Sequence, residues 1–383
     1  MEFGDKDNSM PPRAAYVHVP FCRHRCGYCN FTLVAGRDDL INSYLKAVEI
    51  ELASHQEPHE VTTLFFGGGT PTHLSRDQLK RLFQSVYRWF LPSVDSEISM
   101  EANPADITKE KVALLQDWGV TRVSLGAQSF AEDKLALLER DHSAKDVRRA
   151  LEITRERIPQ VSLDLIFGVP GETRPVWQRD LESAVALKPD HISTYGLTFE
   201  PGTKYYRQLQ RGDLASLGEE VEREFYLAAI DQLTAAGFEH YEVSNFAQPE
   251  RRCRHNQVYW RGQEYFAVGP GAARHIDGER STNYRSTTTY LNRVLSGKSP
   301  VAEQERLDGE ARARERLVLG LRMLEGIDCH AFKRATAFDV EALAGEALVK
   351  FRQLGLLTKV ADRIRLTRQG LLVSDSLWPD LIG

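Results

Sequence analysis

Short strand-like segments alternate with longer helix-like segments through the first half of this 383-residue chain. The strand candidates are residues 14–20, 61–69, 97–104, 122–129, 161–171 and 191–198, and most are apolar on both faces, as buried parallel strands are. Amphipathic helix candidates lie near 39–55, 75–91, 108–118, 144–157, 174–187 and 219–236. Ser75, Thr108 and Ser143 stand where helix N-caps are expected. Six successive βα units predict an α/β fold whose parallel sheet is wound into a full or partial barrel.

The alternation fades after about residue 205, and the rest of the chain divides into two further regions. Residues 240–290 are rich in aromatic residues, His and Gly. Beyond 300, helices near 308–324 and 339–354 precede two short strands around 360–363 and a final helix, which resembles a winged-helix module. We therefore predict a flexible N-terminus (1–13), a core barrel (14–240), a connecting region (241–300) and a smaller α+β C-terminal domain (301–383) that packs over the barrel mouth.

The composition limits the partners and the location that we expect. Of the residues, 42% are apolar and 27% charged, and the formal net charge is only -5. This balance gives no support to a basic nucleic-acid surface, so we expect no nucleic-acid partner. The first residues are polar, and no run approaches the roughly 18 apolar residues of a membrane span. We expect a soluble cytoplasmic protein.

Three of the five cysteines, Cys22, Cys26 and Cys29, follow the first predicted strand directly. A cytosolic chain keeps its thiols reduced, so clustered cysteines are more often metal ligands than cross-links. Structural zinc usually takes four ligands, and no second Cys pair exists here. Three thiolates suit a [4Fe–4S] cluster in which one iron stays open to a further ligand. The carboxyl ends of barrel strands carry the chemistry of such folds, and this loop lies there.

The spacing Cys-x3-Cys-x2-Cys, with an aromatic residue before the last cysteine, resembles the signature of radical S-adenosylmethionine (SAM) enzymes. In that family the amino and carboxylate groups of SAM chelate the unique iron, and reductive cleavage of SAM gives a 5′-deoxyadenosyl radical. The segment FGGGTPT at 66–72 resembles the glycine motif that holds the SAM amino group. Glycine suits that task because backbone without a Cβ can approach a ligand closely. The resemblance implies a partial (β/α)6 barrel.

Further segments, including SMEANP, GAQSF and DLIFGVPGET, resemble the coproporphyrinogen III dehydrogenase branch of that superfamily from Tyr16 almost to the C-terminus. This resemblance implies one set of residues around cluster-bound SAM and a second set around a neighbouring SAM pocket. The first set is Tyr16, Gly68 and Glu101, and the second is Tyr28, Gly69, Thr70, Gln128, Arg140 and Asp164. Taken singly, the tyrosines could be core aromatics, the acids strand-end caps and Arg140 a solvated helix residue.

Two departures from the dehydrogenase pattern favour a sister group, the haem chaperones called HemW. Phe31 stands where the dehydrogenase has a further cysteine, and the 15 residues before Tyr16 leave no room for the long N-terminal extension of that enzyme. The chain also contains the His-Asn-x-x-Tyr-Trp signature of that group. The resemblance thus implies haem binding by His255, Asn256, Tyr259 and Trp260.

The residues of this signature have suitable chemistry for haem, although a structural role is also open. Imidazole is a good axial ligand for haem iron, and flat aromatic faces can pack on a porphyrin. Arg254 could pair with a propionate, and His275 and Cys253 are weaker candidates for haem contact. Alternatively, His255 and Asn256 form a hydrogen-bonded turn, and Tyr259 and Trp260 fill a core.

Three functions remain open from the sequence. The first is a chaperone that carries a SAM-ligated [4Fe–4S] cluster, binds haem and delivers it to acceptor proteins, respiratory ones among them, with a dimer as a possible state. The second is an oxygen-independent coproporphyrinogen III oxidase that decarboxylates propionates by radical chemistry. The third is another radical SAM reaction, such as methyl transfer.

Overall fold

The computed structural model describes residues 13–383, so the predicted flexible N-terminus lies outside the described residues except for residue 13. The strands are β1 (Ala14–Val19), β2 (Phe21–Cys22), β3 (Val34–Ala35), β4 (His59–Gly68), β5 (Phe90–Ala102), β6 (Arg122–Gln128), β7 (Gln160–Phe167), β8 (His191–Gly196), β9 (Glu239–Glu242), β10 (Asn245–Ala247), β11 (Phe266–Val268), β12 (Ala273–Ile276), β13 (Glu279–Asn283), β14 (Val301–Arg306), β15 (Ile327–Asp328), β16 (Leu357–Val360) and β17 (Arg363–Leu366).

The helices alternate with the strands through the first half of the chain and dominate the C-terminal part. They are α1 (Ile41–Leu52), α2 (Arg76–Tyr87), α3 (Lys109–Asp117), α4 (Glu132–Leu137), α5 (Ala144–Arg155), α6 (Arg174–Ala186), α7 (Lys204–Arg211), α8 (Glu219–Ala235), α9 (Arg254–Trp260), α10 (Thr287–Leu295), α11 (Gly309–Leu321), α12 (Cys329–Thr336), α13 (Val340–Gln353), α14 (Arg368–Leu372) and α15 (Ser374–Ile382). None of these described helices has the length and apolar character that crossing a membrane requires.

The main sheet has nine strands in the order β11-β1-β4-β5-β6-β7-β8-β10-β9. Its six central strands are parallel neighbours, and β11 adds a seventh parallel strand beside β1. Strands β10 and β9 close the other edge in antiparallel pairing. The predicted α/β partial barrel is confirmed. The range 241–300, predicted to be a connecting region, supplies β10 and β11 to this sheet.

Local sequence signals account for many of the element boundaries. The Ser75 and Ser143 hydroxyls each accept a hydrogen bond from the third backbone N–H of the following helix, and both form complete capping boxes. Thr108 caps α3 in the same way through Lys111 N–H. The chief boundary difference is β5, which begins at Phe90 rather than near residue 97 because its first residues extend the pairing with β4.

The two faces of the parallel strands differ in polarity, contrary to the prediction that most are apolar on both. In β6, Val123, Leu125 and Ala127 are fully buried in the main core, while Ser124 and Gly126, on the other face, line a cavity inside the barrel. Successive side chains of a strand point to opposite faces, so this alternation follows directly from the pleat. The barrel therefore encloses polar groups inside a layer of apolar strands and helices.

A second hydrophobic core lies in the C-terminal part of the chain, between residues 313 and 381. It packs α11, α13 and α15 against the three-stranded antiparallel sheet β15-β17-β16, as a winged-helix-like domain would. This domain contacts the barrel beside α9: the Arg322 guanidinium lies 4.4 Å from the centre of the Trp260 ring, and Leu324 N–H donates to Tyr241 O. The expectation that it covers the barrel mouth is therefore wrong.

A buried ionic cluster holds together the loops that follow β6 and β7. The Lys134 ammonium pairs with Glu172 and, at 3.0 Å, with Asp180, and all three side chains are at most 5% exposed. Asp180 also accepts hydrogen bonds from the Ser129 hydroxyl and from Phe130 N–H. One cation thus compensates two carboxylates in a site that excludes water.

We predict that Lys134→Met lowers the free energy of unfolding by about 3–5 kcal/mol, because it leaves two buried carboxylates without their cation. Urea unfolding of the full chain measures this. Lys350→Met is the matched control, since Lys350 pairs with Asp380 on the exposed surface and such pairs contribute about 0–1 kcal/mol. Equal effects of the two substitutions would contradict the prediction.

Candidate cofactor site at the carboxyl ends of the strands

A cavity of about 610 Å³ opens at the carboxyl ends of the parallel strands. This volume is typical of pockets that bind cofactors and small ligands. Every residue predicted to bind the cluster or SAM lines it, with the exception of Tyr16: Cys22, Cys26, Tyr28, Cys29, Gly68, Gly69, Thr70, Glu101, Gln128, Arg140 and Asp164. The βα topology thus brings together side chains that are up to 142 positions apart in the sequence, from Cys22 to Asp164.

The loop after β1 presents its three cysteines along one wall of the cavity. All three are free thiols. The Cys22 Sγ lies 3.2 Å from the Thr70 hydroxyl, and a guanidinium nitrogen of Arg140 lies 3.7 Å from Cys26 Sγ. Burial raises the pKa of Cys22 to about 12, so as a free group it is a neutral thiol.

The donor set of this loop fits an iron–sulfur cluster better than a single ion. Among residues 13–383, no three His, Cys, Asp or Glu side chains converge on a point as ligands of one ion must. In a cubane cluster each thiolate binds a different iron, so the three donors stand apart around the cluster and the fourth iron stays open. Binding to iron would deprotonate the buried thiols, as metal coordination of a thiol does.

The glycine turn after β4 has a backbone that other residues cannot adopt without strain. Gly68 has φ of 114°, and a Cβ at this position would lie 2.4 Å from the His18 ring. Its N–H donates to the Glu101 carboxylate at 2.9 Å. Gly69 N–H donates in turn to Val19 O, which fixes the turn against β1. The backbone of Gly68 and Gly69 therefore faces the cavity beside the Glu101 carboxylate.

Two half-buried carboxyl groups, Glu101 on β5 and Asp164 on β7, face the cavity. The pKa of Glu101 is raised to about 7, chiefly by burial and to a smaller extent by the nearby Asp164. Burial also raises the pKa of Asp164 to about 6, although the Ser124 hydroxyl donates to both of its oxygens at 3.1 Å. Desolvation disfavours their charge, so a cationic ligand would stabilise the ionised forms.

Arg140, Gln128 and Tyr28 also line the cavity. Arg140 donates to Gly126 O at 3.0 Å while it approaches Cys26, so this cation spans the distance between β6 and the cysteine loop. Gln128 has φ of 63°, an unusual value for a residue with a side chain, at the end of β6. The Tyr28 ring packs edge-on against Tyr205.

Several residues that line the cavity were missed in the sequence. His24 and Arg23 belong to the cysteine loop itself, Ser124 precedes Gln128 on the same face of β6, and Tyr195 is the last residue but one of β8. The two-residue period of a strand could have indicated Ser124 and Tyr195. Arg285 comes from the loop before α10, and no local signal connects it with the cavity.

The predicted haem residues lie at the other end of the barrel, on α9. His255 is 1% exposed, and its ring nitrogens lie 2.9 Å from the hydroxyls of Thr63 and Tyr259. Its ring also stacks on Phe65 at 5.1 Å between centroids. Burial lowers the pKa of His255 to about 4, so the ring is neutral. Both nitrogens are engaged within the protein in this conformation.

The other residues of this region are likewise held in protein contacts. Asn256 is half-buried, and the ring of Trp260 is covered by Arg322. The remaining candidates are Arg254, which donates to Asp95 O, buried Cys253, whose thiol lies 3.5 Å from Glu97, and His275, whose backbone pairs with Tyr265. The structure therefore does not bring these residues together with the cavity.

Tyr16 connects the two ends of the barrel. Its ring lies 6.5 Å from that of His255, and its hydroxyl lies 3.1 Å from His18 Nδ1. The other ring nitrogen of His18 lies 2.7 Å from Thr32 O, which can only accept, so Nε2 carries the proton and Nδ1 accepts from Tyr16. Tyr16 thus supports the cysteine loop through its hydrogen bond to His18. Burial lowers the pKa of His18 to about 4, so its ring is neutral.

Comparison with known sequences gives matches along the whole chain. The sequence profile of the radical SAM superfamily matches residues 16–184, and that of the HemN C-terminal domain matches residues 307–373. The protein named heme chaperone HemW of Bacillus subtilis is 34% identical over 97% of this chain and 99% of its own length. Its namesake in Escherichia coli is 32% identical over 96% of this chain and 97% of its own length.

A solved structure, that of coproporphyrinogen III oxidase (HemN) from Escherichia coli, has the same fold. It superimposes with a TM-score of 0.85 over 97% of this chain and 90% of its own, at 23% identity. The sequence relatives, which reach across almost the full length at over 30% identity, determine the family. The chain belongs to the HemW family of haem chaperones, within the radical SAM superfamily.

Proposed function

We propose that this protein binds haem and transfers it to acceptor proteins, and that it carries a [4Fe–4S] cluster and SAM in the cavity at the carboxyl ends of the strands. The observation that carries the proposal is the convergence of three thiols, a glycine turn and two half-buried carboxyls in one cavity of a chain of the HemW family. Haem is the cargo, and the cluster and SAM are the resident cofactors.

Cys22, Cys26 and Cys29 would hold the cluster at the cavity wall. When bound, such a cluster supplies single electrons and an open iron that SAM can chelate. Arg140 places a cation beside Cys26, where it offsets the negative charge of the thiolates. Thr70 offers its hydroxyl to Cys22, and hydrogen bonds to ligand sulfurs adjust the charge that such a site tolerates.

The glycine turn and the two carboxyls would bind SAM. Glu101 and Asp164 favour the positive charges of its ammonium and sulfonium groups, and these charges favour ionisation of both carboxyls in return. Backbone at Gly68 and Gly69 can lie close to the ligand because no Cβ intervenes. Tyr16 would not contact SAM directly. Through its hydrogen bond to His18 it would hold the glycine turn and the cysteine loop in their relative positions.

The haem role of His255, Asn256, Tyr259 and Trp260 stays a prediction. Haem ligation by His255 needs one imidazole nitrogen to give up its hydrogen bond, because both nitrogens are bonded to hydroxyls in this conformation. Respiratory acceptors, a dimer, a cytoplasmic location and the bounds of the four predicted regions are likewise still predictions from the sequence.

The test of the haem function is titration of the anaerobically reconstituted full chain with haem, followed by absorbance. We expect saturable binding near one haem per chain and transfer to an apo-haem protein supplied in excess. The same preparation, given coproporphyrinogen III, SAM and a reductant, should form no decarboxylated product. Decarboxylation without saturable haem binding would overturn the proposal in favour of the oxidase.

We predict that Cys22→Ala, Cys26→Ala or Cys29→Ala each reduces bound iron and sulfide to a small fraction of the unaltered protein, because each removes one of three ligands. Iron and sulfide analysis after reconstitution measures this. Cys329→Ala is the control, since that thiol lies in the C-terminal domain away from the cavity. Full iron content in the three variants would refute the ligand assignment.

We predict that Glu101 makes SAM binding pH-dependent. With its pKa near 7, Glu101 is mostly protonated at pH 6 and mostly ionised at pH 8, and only the anion attracts SAM. The ratio of SAM affinities, unaltered protein over Glu101→Gln, should therefore rise about tenfold from pH 6 to pH 8. The ratio cancels the titration of SAM itself. Calorimetry at both pH values measures it, and a constant ratio would exclude Glu101 from the binding site.

A further inference from the structure

Phe31 projects from the cysteine loop into solvent at the mouth of the cavity. It is 67% exposed, and no other phenylalanine ranks among the exposed large hydrophobic residues of the described chain. A smaller cavity of about 290 Å³ adjoins the main one, and Phe31, Asn30, Leu33 and Arg285 line both. An exposed aromatic ring at the junction of two cavities offers a flat apolar face to a ligand.

Two arginines flank this ring without a carboxylate partner. Arg25 donates to Phe31 O, and Arg285 donates to Asn30 O at 2.8 Å, so both guanidinium groups are held by backbone carbonyls. Among residues 13–383, no carboxylate lies within ion-pair distance of either group. Arg23 in the same loop differs, because Asp106 and Asp141 lie 3.3 and 3.8 Å from it. Arg25 and Arg285 can therefore receive two further anionic groups.

Among residues 13–383, one histidine, His24, lines the larger cavity, and it lies at the mouth. The side chain of His24 is 56% exposed, and its Nε2 lies 3.3 Å from the Glu139 carboxylate. It precedes Arg25 in the chain, so their Cα atoms lie about 3.8 Å apart. Its imidazole can turn toward a ligand at the mouth, whereas that of His255 is enclosed.

We propose that haem binds across this mouth, with its ring on Phe31, its two propionates paired with Arg25 and Arg285, and its iron ligated by His24. The ligand chemistry follows from the surface: a flat apolar body, two carboxylates and a metal with an open axial position. Guanidinium groups bind carboxylates through paired N–H donors, and imidazole is a common axial ligand of haem iron. This inference rests on the proposed haem function and assigns its binding surface.

The experiment compares variants by haem titration of the reconstituted full chain. We expect Arg25→Gln and Arg285→Gln each to weaken haem affinity about tenfold or more, since each removes a charge-assisted pair. Phe31→Ser should also weaken it, and His24→Ala should shift the Soret band. Arg37→Gln is the control, because Arg37 pairs with Asp39 on the surface and lines neither cavity, and it should leave affinity within about twofold. Haem dimethyl ester, which lacks free carboxylates, should bind the arginine variants and the unaltered protein equally.

The outcomes separate this inference from the function on which it rests. Saturable binding by the unaltered protein, with unchanged affinity in both arginine variants and a spectrum altered only by His255→Ala, would overturn the proposed surface and leave the haem function intact. No saturable binding by the unaltered protein would overturn the function itself. Iron and sulfide content, measured in every variant, shows that the cluster is intact. Arg285→Gln decides the matter if changes near the cysteines disturb assembly.

Discussion

The arrangement of the barrel depends on the interactions of one buried carboxylate, that of Glu97. It pairs with Arg122 at 3.3 Å and accepts hydrogen bonds from the N–H groups of Arg254 and His255, at the N-terminus of α9. An anion at this place is stabilised both by the guanidinium and by the free donors and dipole of a helix N-terminus. Its position fixes α9 across the amino-terminal end of the strands. The cavity that the barrel encloses then opens at the carboxyl end, beside the cysteine loop.

This arrangement explains why the polar interior is tolerated. A buried charge without partners costs several kcal/mol, so every charged group inside the barrel must find a partner within it. At the amino-terminal end, Glu97, Arg122 and α9 satisfy one another. At the carboxyl end, Glu101 and Asp164 have only partial compensation from Gly68 N–H and from serine hydroxyls, and their raised pKa values express that shortage. The end with the unsatisfied charges is the end that has room for a cationic ligand.

Three features could be predicted from the sequence: the order of the βα units, the caps at Ser75 and Ser143, and the residues at the strand ends. The first two depend on local periodicity and capping residues, and the third depends on the rule that parallel strands share a carboxyl edge. The sequence did not allow the burial of α9 to be predicted. A run such as His-Asn-x-x-Tyr-Trp has the same chemistry whether it faces solvent or a core, and only the tertiary position of Glu97 and Thr63 decides between them. Arg285 could not be assigned to the cavity for the same reason, since its neighbours there are distant in sequence.

The two signatures of the chain are nevertheless connected through packing. From His255 the contacts run to Tyr16, from Tyr16 to His18, and from His18 to the backbone of Thr32 in the cysteine loop. The two histidines are buried and neutral and Tyr16 is half-buried, so the connection is one of shape and hydrogen bonding and does not depend on charge. A change at His255 would therefore reach the cysteine loop through a displaced Tyr16, even if no haem ever contacted the imidazole. For that reason loss of haem binding in a His255 variant cannot by itself identify the iron ligand, and the spectrum of the bound haem must be compared with that of a variant at the mouth.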